Sequence, residues 1–319
     1  MWRRFVALVA LGIALGALAT VPTSYWFLAP GNAVDLSTRV HVDGFAAAPD
    51  QFYLTDVTVA PAPPLVLAFG RFVPGVRLVR QDLLIPTGVA PKAYDRVLDE
   101  AMVESQDIAA VVAERAAGFR VVQPPTQVYV ADILAQSKAR KLLRIGDQIL
   151  SIAGHPIAGS ADVTAVISKL AASNVDVVER RGRTVLRLHV PTIAMSGGRR
   201  LGIRVETRTQ QAQLPVPVRF DLNNISGSSG GLMLALHIYD TLRHEHYKAA
   251  TRIAGTGTLS YDGTVGPIEG TMQKLIAAQR AGITLFLVPN ENYADVSSVH
   301  GVRIIPVGSF REALAALRS

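Results

Sequence analysis

The sequence predicts an α+β fold in three parts: a single N-terminal transmembrane helix, a β-rich module, and a C-terminal domain mixing strands and helices. Three observations lead there. Residues 5–28 form an uncharged apolar run of 24 residues, where roughly 20 suffice to cross a bilayer. Residues 175–178 and 185–190 are β-like runs joined across Arg180-Arg181-Gly182-Arg183, which reads as a hairpin turn. From Arg252 onward a strand, a turn, an apolar helix and a second apolar strand follow in that order.

Arg3 and Arg4 precede the apolar run and no comparable basic cluster follows it, which places the N-terminus in the cytoplasm and the body outside. Tyr25-Trp26-Phe27-Leu28 reads as an interfacial aromatic group and favours a retained anchor over residues 1–32. The alternative is a cleaved signal peptide, for which Ala17-Leu18-Ala19 offers a small-x-small site. Either reading exports the body, and the anchor makes the lipid bilayer a partner. The chain has no cysteine, which excludes disulfides, a thiol nucleophile and Cys-based metal sites. Its net charge of +7 suits anionic lipid head groups. No nucleic-acid motif accompanies that charge, so nucleic acid is not an expected partner.

Residues 33–117 read as a connecting α/β region that packs with the body. Residues 52–59 and 65–72 are β-like runs around a Pro-rich turn. Residues 93–117 turn helical, with Val97, Leu98, Met102, Ile108, Val111 and Val112 as candidate core positions. Residues 118–193 form the β-rich module: a strand at 128–134, a helical turn at 138–143, an amphipathic helix at 161–172, then the hairpin. Residues 196–200 read as a linker, and residues 198–319 as the C-terminal domain.

That domain contains Ser226-Gly227-Ser228-Ser229-Gly230-Gly231, which runs into the apolar segment 232–239. The pattern is a tight turn feeding a buried helix, and a serine there sits among unpaired amides and the positive end of the helix dipole. Such a place can stabilise a developing oxyanion. Ser226, Ser228 and Ser229 all compete for that role. Downstream, Val265-Gly266-Pro267-Ile268-Glu269-Gly270 leads into a helix at 271–282 that carries Lys274. His244-Glu245-His246 is no metal site on this reading, because i,i+2 positions do not share a helix face. Neither a metal nor a cofactor is expected. These 319 residues contain no GxxxxGK[ST], the phosphate-cradling loop of ATPases.

The order of serine turn, helix, Gly255-Thr256-Gly257-Thr258 strand, Gly-Pro-Ile phrase and lysine-bearing helix resembles the proteolytic domain of Lon-type serine peptidases, over roughly residues 200–310. The resemblance implies a catalytic dyad with Ser229 as nucleophile and Lys274 as base. It implies supporting or oxyanion roles for Ser228, Gly230 and Thr256. The family's proline before the nucleophile is Ser228 here, its following alanine is Gly230, and the second glycine before the lysine helix is Glu269. Residues 145–157, IGDQILSIAGHPI, resemble the GD phrase of PDZ domains, which capture extended or C-terminal peptides by strand addition. That resemblance points to Gly118, Phe119 and Arg120 as the carboxylate-holding loop. The phrases FYLTDVTV and MVESQDIAAVVA resemble membrane-anchored Lon-like proteins of the YlbL type. Together these imply an ATP-independent serine endopeptidase acting on peptides or unfolded proteins outside the cytoplasmic membrane. The alternative is a non-catalytic PDZ binding or scaffold protein with an inactive peptidase fold. A homo-oligomer stays open, because Lon relatives form rings.

Overall fold

The computed structural model describes residues 2, 21, 23–46, 51–85, 91–122, 126–134, 136–157, 162–163, 166–167, 172–195, 198–209, 212–222, 225–245, 247 and 252–319. Most of the expected anchor, including Arg3, Arg4 and the signal-peptide site, lies outside those residues. Among the described residues no helix is long and apolar enough to cross a membrane. The chain divides into two units, one from residues 1–121 and 214–319, the other from residues 122–213.

The first unit begins with β1 (Tyr25–Asp35), β2 (Val40–Val42), β3 (Gln51–Pro61), α1 (Pro64–Phe69), β4 (Arg77–Arg80), α2 (Gln81–Leu84) and the long α3 (Pro91–Ala116). The second unit contributes β5 (Thr126–Ile133), β6 (Gln148–Ile152), β7 (His155–Pro156), β8 (Asn174–Arg181), β9 (Thr184–Pro191), β10 (Ile193–Met195), β11 (Gly198–Arg200) and β12 (Ile203–Thr209). The chain then returns through β13 (Val218–Phe220), α4 (Gly231–Arg243), β14 (Arg252–Gly255), β15 (Thr258–Leu259), β16 (Val265–Gly266) and α5 (Thr271–Arg280). It ends with β17 (Leu285–Pro289), α6 (Tyr293–Val296), β18 (Arg303–Val307) and α7 (Phe310–Arg318).

The main sheet runs β18-β17-β14-β3-β1-β4. Its first four strands are parallel neighbours, while β1 pairs antiparallel with both β3 and β4. Alternate side chains divide between two cores, as the period-2 geometry of a strand requires. Phe52, Leu54, Ile253, Leu285 and Leu287 join a core with α3, α4 and α7. Tyr53, Ala254, Phe286 and Val288 join another with Leu275 and Ala278 of α5. With both faces covered, β17 is buried at every residue, which explains its unbroken apolar run.

Several expectations are corrected here. Tyr25, Trp26, Phe27 and Leu28 do not end an anchor; they form the start of β1, paired with β3 on one side and β4 on the other. Residues 33–117 are no separate connecting region, because β1, β3 and β4 supply half of the main sheet and α3 packs on α4. Residues 65–72 are helical rather than β-like: Pro64 sits at the helix start, and a short apolar run carries no period that separates strand from helix. On α3, Met102, Val111 and Val112 are buried as expected, whereas Val97 is 54% exposed.

Gly118, Phe119 and Arg120 belong to the first unit, not to the β-rich module. Gly118 (φ 97°) donates its N–H to Arg115 O, and Phe119 donates to Glu114 O, so the pair closes α3 in a left-handed cap. Phe119 then packs on the first core.

In the second unit β12-β5-β6-β8-β9 form an antiparallel sheet around Val128, Ile149, Ile152, Val177 and Val190. The hairpin at residues 180–183 is present, with Gly182 at φ 58° in the left-handed position of a two-residue turn. Of the helix expected at 161–172, Asp162, Val163, Val166 and Ile167 are described and helical, and Ala172 is described outside it. The limits of this module move from 118–193 to 122–213. Where a linker was expected β10 and β11 pair, and β12 closes the sheet against β5. Asp147 of the GD phrase is a structural lock: it accepts from Arg144 N–H (2.7 Å) and from Arg181 Nε and Nη2 (2.8 and 2.6 Å). Burial alone would raise this carboxyl, but the Arg181 guanidinium brings it down to about 2. Its neighbour Glu179 is pushed up to about 8, first by burial and then by Asp147.

Candidate active site

The serine turn is built by α3 as much as by its own glycines. Gly227 (φ 86°) reverses the chain and donates its N–H to Leu98 O at 2.8 Å, and Ser105 Oγ donates to Ser228 O at 3.2 Å. A 3-10 turn, Ser228–Gly230, then runs directly into α4. A Cβ added at Gly230 would overlap Leu54 Cδ1 of β3, so any larger residue requires that side chain to shift. Thr256 Oγ1 and Gly257 N–H both donate to Ser229 O, at 3.0 and 2.9 Å, and hold that residue from the far side. Ser229 and Gly230 thus lie in the 3-10 turn that leads into the first turn of α4, at the positive end of its dipole.

Lys274 comes from the opposite layer. Gly270 (φ 75°) caps α5 and accepts from Lys274 N–H at 3.1 Å. Asn292 pins the approach to that helix through both backbone groups of Ile268, at 2.8 and 3.0 Å. Glu269 is exposed, one residue before the cap. The lysine side chain is only 5% exposed, and its Nζ lies 2.6 Å from Ser229 Oγ and 3.1 Å from Thr256 Oγ1. Burial lowers its pKa from 10.5 to about 8, and the charge of Asp56 pulls part of the way back. Asp56 is fixed by Asn32 N–H at 2.6 Å, across an irregularity in β1 between Pro30 and Ala33.

Of the three candidate serines, Ser229 is the one whose hydroxyl meets Lys274. Ser226 is exposed, and Ser228 contributes its carbonyl to the strap from Ser105. The pair sits where β14 ends beside Leu54 of β3, with α4 and α5 arriving from the two faces of the sheet. A cleft of about 670 Å³ opens there, lined by Leu54, Leu98 and Met102 together with the carboxylates Asp56, Asp95 and Glu269. Residues 55–59 line it as well. Beyond Leu54, β3 pairs only with β1 among the described residues, since β14 ends at Gly255.

No histidine or carboxylate hydrogen-bonds Ser229 Oγ among the described residues. His237 is a core side chain, its ring edge-on to Phe52 and its pKa lowered to about 4 by burial. Of the His244-Glu245-His246 stretch, His246 lies outside the described residues. Glu245 accepts from Arg318 (2.6 and 2.8 Å) and from Tyr239. Among the described residues no cluster of three metal-ligating side chains occurs.

Ser105, Asp56 and Asn292 were missed by the sequence reading. Asp56 did leave a trace, a lone carboxylate inside the otherwise apolar phrase Tyr53-Leu54-Thr55-Asp56-Val57. Ser105 and Asn292 left none, because their roles depend on chain segments more than 20 residues away.

Residues 221–317 match the family described as Lon protease (S16) C-terminal proteolytic domain. Lon protease 2 of Bacillus subtilis is 33% identical over 91 residues, which are 28% of this chain and 16% of that protein. Lon protease 2 of Herpetosiphon aurantiacus is 33% identical over 106 residues, 33% of this chain and 13% of that protein. The chain thus spans less than a fifth of the length of these relatives. A structural comparison finds the PDZ domain of an SdrC-like protein from Listeria monocytogenes, at 22% identity and TM-score 0.24, covering 27% of this chain and 93% of that one.

Proposed function

We propose that this chain is a serine endopeptidase that works through a dyad of Ser229 and Lys274. The observation that carries the reading is the 2.6 Å approach of a buried, pKa-depressed lysine amine to a serine hydroxyl at the start of a helix. Neutral Lys274 takes the hydroxyl proton as Ser229 Oγ attacks the peptide carbonyl. The tetrahedral oxyanion is met by the amide of Ser229 and by the positive end of α4. Lys274 then returns the proton to the leaving amine, which leaves an acyl-enzyme for water to hydrolyse. Thr256 is a positioning residue, since its hydroxyl touches both Lys274 Nζ and Ser229 O.

The substrate is an extended segment of peptide or unfolded protein. Residues 55–59 offer it a strand edge inside the cleft, and strand addition suits a substrate without fixed sequence. Hydrolysis proceeds without ATP, for which these residues carry no binding loop. The second unit acts as a PDZ-type module that gathers substrate ends, a reading supported by its GD phrase and antiparallel sheet. The body works outside the cytoplasmic membrane, held there by residues 5–22.

The test is hydrolysis of casein or quenched-fluorescence peptides by the full chain, without nucleotide. Ser229→Ala should abolish cleavage, while Ser226→Ala and Ser228→Ala keep most of it. Cleavage that survives Ser229→Ala overturns the assignment of the nucleophile.

A further inference from the structure

The first unit carries an apolar surface that its own fold leaves uncovered. Residues 63–75 read PPLVLAFGRFVPG, with Arg71 as the one charge. Gly70 faces inward, where an added Cβ would lie 3.3 Å from Val66 Cγ1 and Val76 Cγ1. Leu65, Phe69 and Phe72 recur at i, i+4 and i+7 through α1 and the 3-10 turn Gly70–Phe72, so they share the opposite face. They are 47%, 59% and 69% exposed, and Val73 beside them is 50% exposed. Surface helices normally turn a polar face to water, and this one turns out its largest apolar side chains. Isolated apolar residues on a surface are ordinary, whereas a contiguous set marks an interaction site.

Two observations identify what covers it. The surface is cationic: residues 63–85 hold Arg71, Arg77 and Arg80 against Asp82 alone, and Arg80 binds that carboxylate at 2.7 and 3.0 Å. The Arg71 guanidinium stacks over the Phe72 ring at 4.7 Å, which keeps a charge beside an exposed aromatic side chain. The second observation is position. Thr23, where the uncharged run of residues 5–22 meets the fold, donates its N–H and Oγ1 to Ala62 O at 3.3 and 2.7 Å. Ala62 lies two residues before Pro64 starts α1, so Thr23 is held beside the start of the exposed helix.

We propose that α1 and the turn after it form an interfacial segment that lies in the head-group layer of an anionic phospholipid bilayer. Leu65, Phe69 and Phe72 enter the acyl boundary, and Arg71 and Arg77 stay at the level of the phosphates. The surface then holds the first unit against the bilayer at a second point beside residues 5–22. This rests on the reading of residues 5–22 as membrane-embedded, and the experiment separates the two.

The chain has no cysteine, so a single introduced one reports one site. Full-length Phe72→Cys and Leu65→Cys, and as control Val103→Cys on exposed α3, would each be labelled with an environment-sensitive dye and mixed with phosphatidylcholine–phosphatidylglycerol vesicles. Dye at 72 and 65 should shift to the blue and lose at least about half its emission to spin-labelled lipid, with iodide quenching reduced several-fold. Dye at 103 should stay open to iodide. If the chain floats with the vesicles while dye at 72 remains as open to iodide as dye at 103, the interfacial segment is overturned and the anchor stands. A chain that stays off the vesicles overturns both. Dye at 72 shielded from iodide and from spin-labelled lipid alike would mean that a second copy of the chain covers this face, which also overturns the proposal.

Discussion

Lys274 Nζ stands 2.6 Å from Ser229 Oγ on a side chain that is 95% buried, so the amine that meets the hydroxyl is one that burial has already driven toward neutrality. The same burial works against folding. The folded-state pKa, about 8, lies below the ordinary 10.5. Below pH 8 both folded and unfolded lysine are charged and the full penalty is present; between pH 8 and 10.5 the folded amine is neutral and the penalty fades. Lys274→Met should therefore be more stable than wild type by about 1–3 kcal/mol at pH 7, with the gap closing by pH 10. Urea unfolding at the two pH values measures it, and equal stability at pH 7 would mean the amine is better solvated than its burial indicates.

Asp56 is the charge that holds the lysine pKa up. Asp56→Asn should move the alkaline rise of the pH–rate profile to lower pH, without shifting the plateau by more than a few-fold. A rise displaced to higher pH would show that Asp56 reaches Lys274 in some way other than through its charge.

Gly230 sits against Leu54, whose Cδ1 an added methyl group would displace. Gly230→Ala should destabilise the first unit by about 1–3 kcal/mol, the usual range for overpacking. Combined with Leu54→Ala, the loss should be smaller than the sum of the two single losses by about 1 kcal/mol. Strict additivity would separate the two residues.

The sequence exposed the local pieces of this site better than their assembly. The serine turn and its helix and the lysine helix stand where small residues, caps and apolar periods put them, while the strand expected over residues 252–259 breaks after Gly255. What stayed hidden was partnership across distance. Residues 52–59 read correctly as a strand, yet nothing near them says that the next strand in the sheet lies 200 residues on, at Arg252. Tyr25 to Leu28 read as the end of an anchor because a half-buried apolar strand paired on both sides has the composition of a membrane segment. Residues 65–72 misled for a similar reason, since exposed apolar side chains blur the contrast between inner and outer face.

Asn292 closes two hydrogen bonds on Ile268, just ahead of the lysine helix. Asn292→Leu leaves both backbone groups unpaired and should cost about 1–3 kcal/mol. Peptide hydrolysis should fall through kcat more than through KM, because the start of α5 sets where Lys274 enters the cleft. A wild-type kcat in a destabilised protein would limit Asn292 to a structural part.

The most direct measurement is the rate of peptide cleavage by the full chain between pH 6 and 10, for wild type and Lys274→Arg. A dyad in which neutral Lys274 is the base predicts a rate that rises about tenfold per pH unit below 8 and levels off above it. It predicts no cleavage by Lys274→Arg at any pH, since a guanidinium stays protonated throughout. A Lys274→Arg chain as active as wild type, or a wild-type rate that is flat between pH 6 and 8, would contradict it.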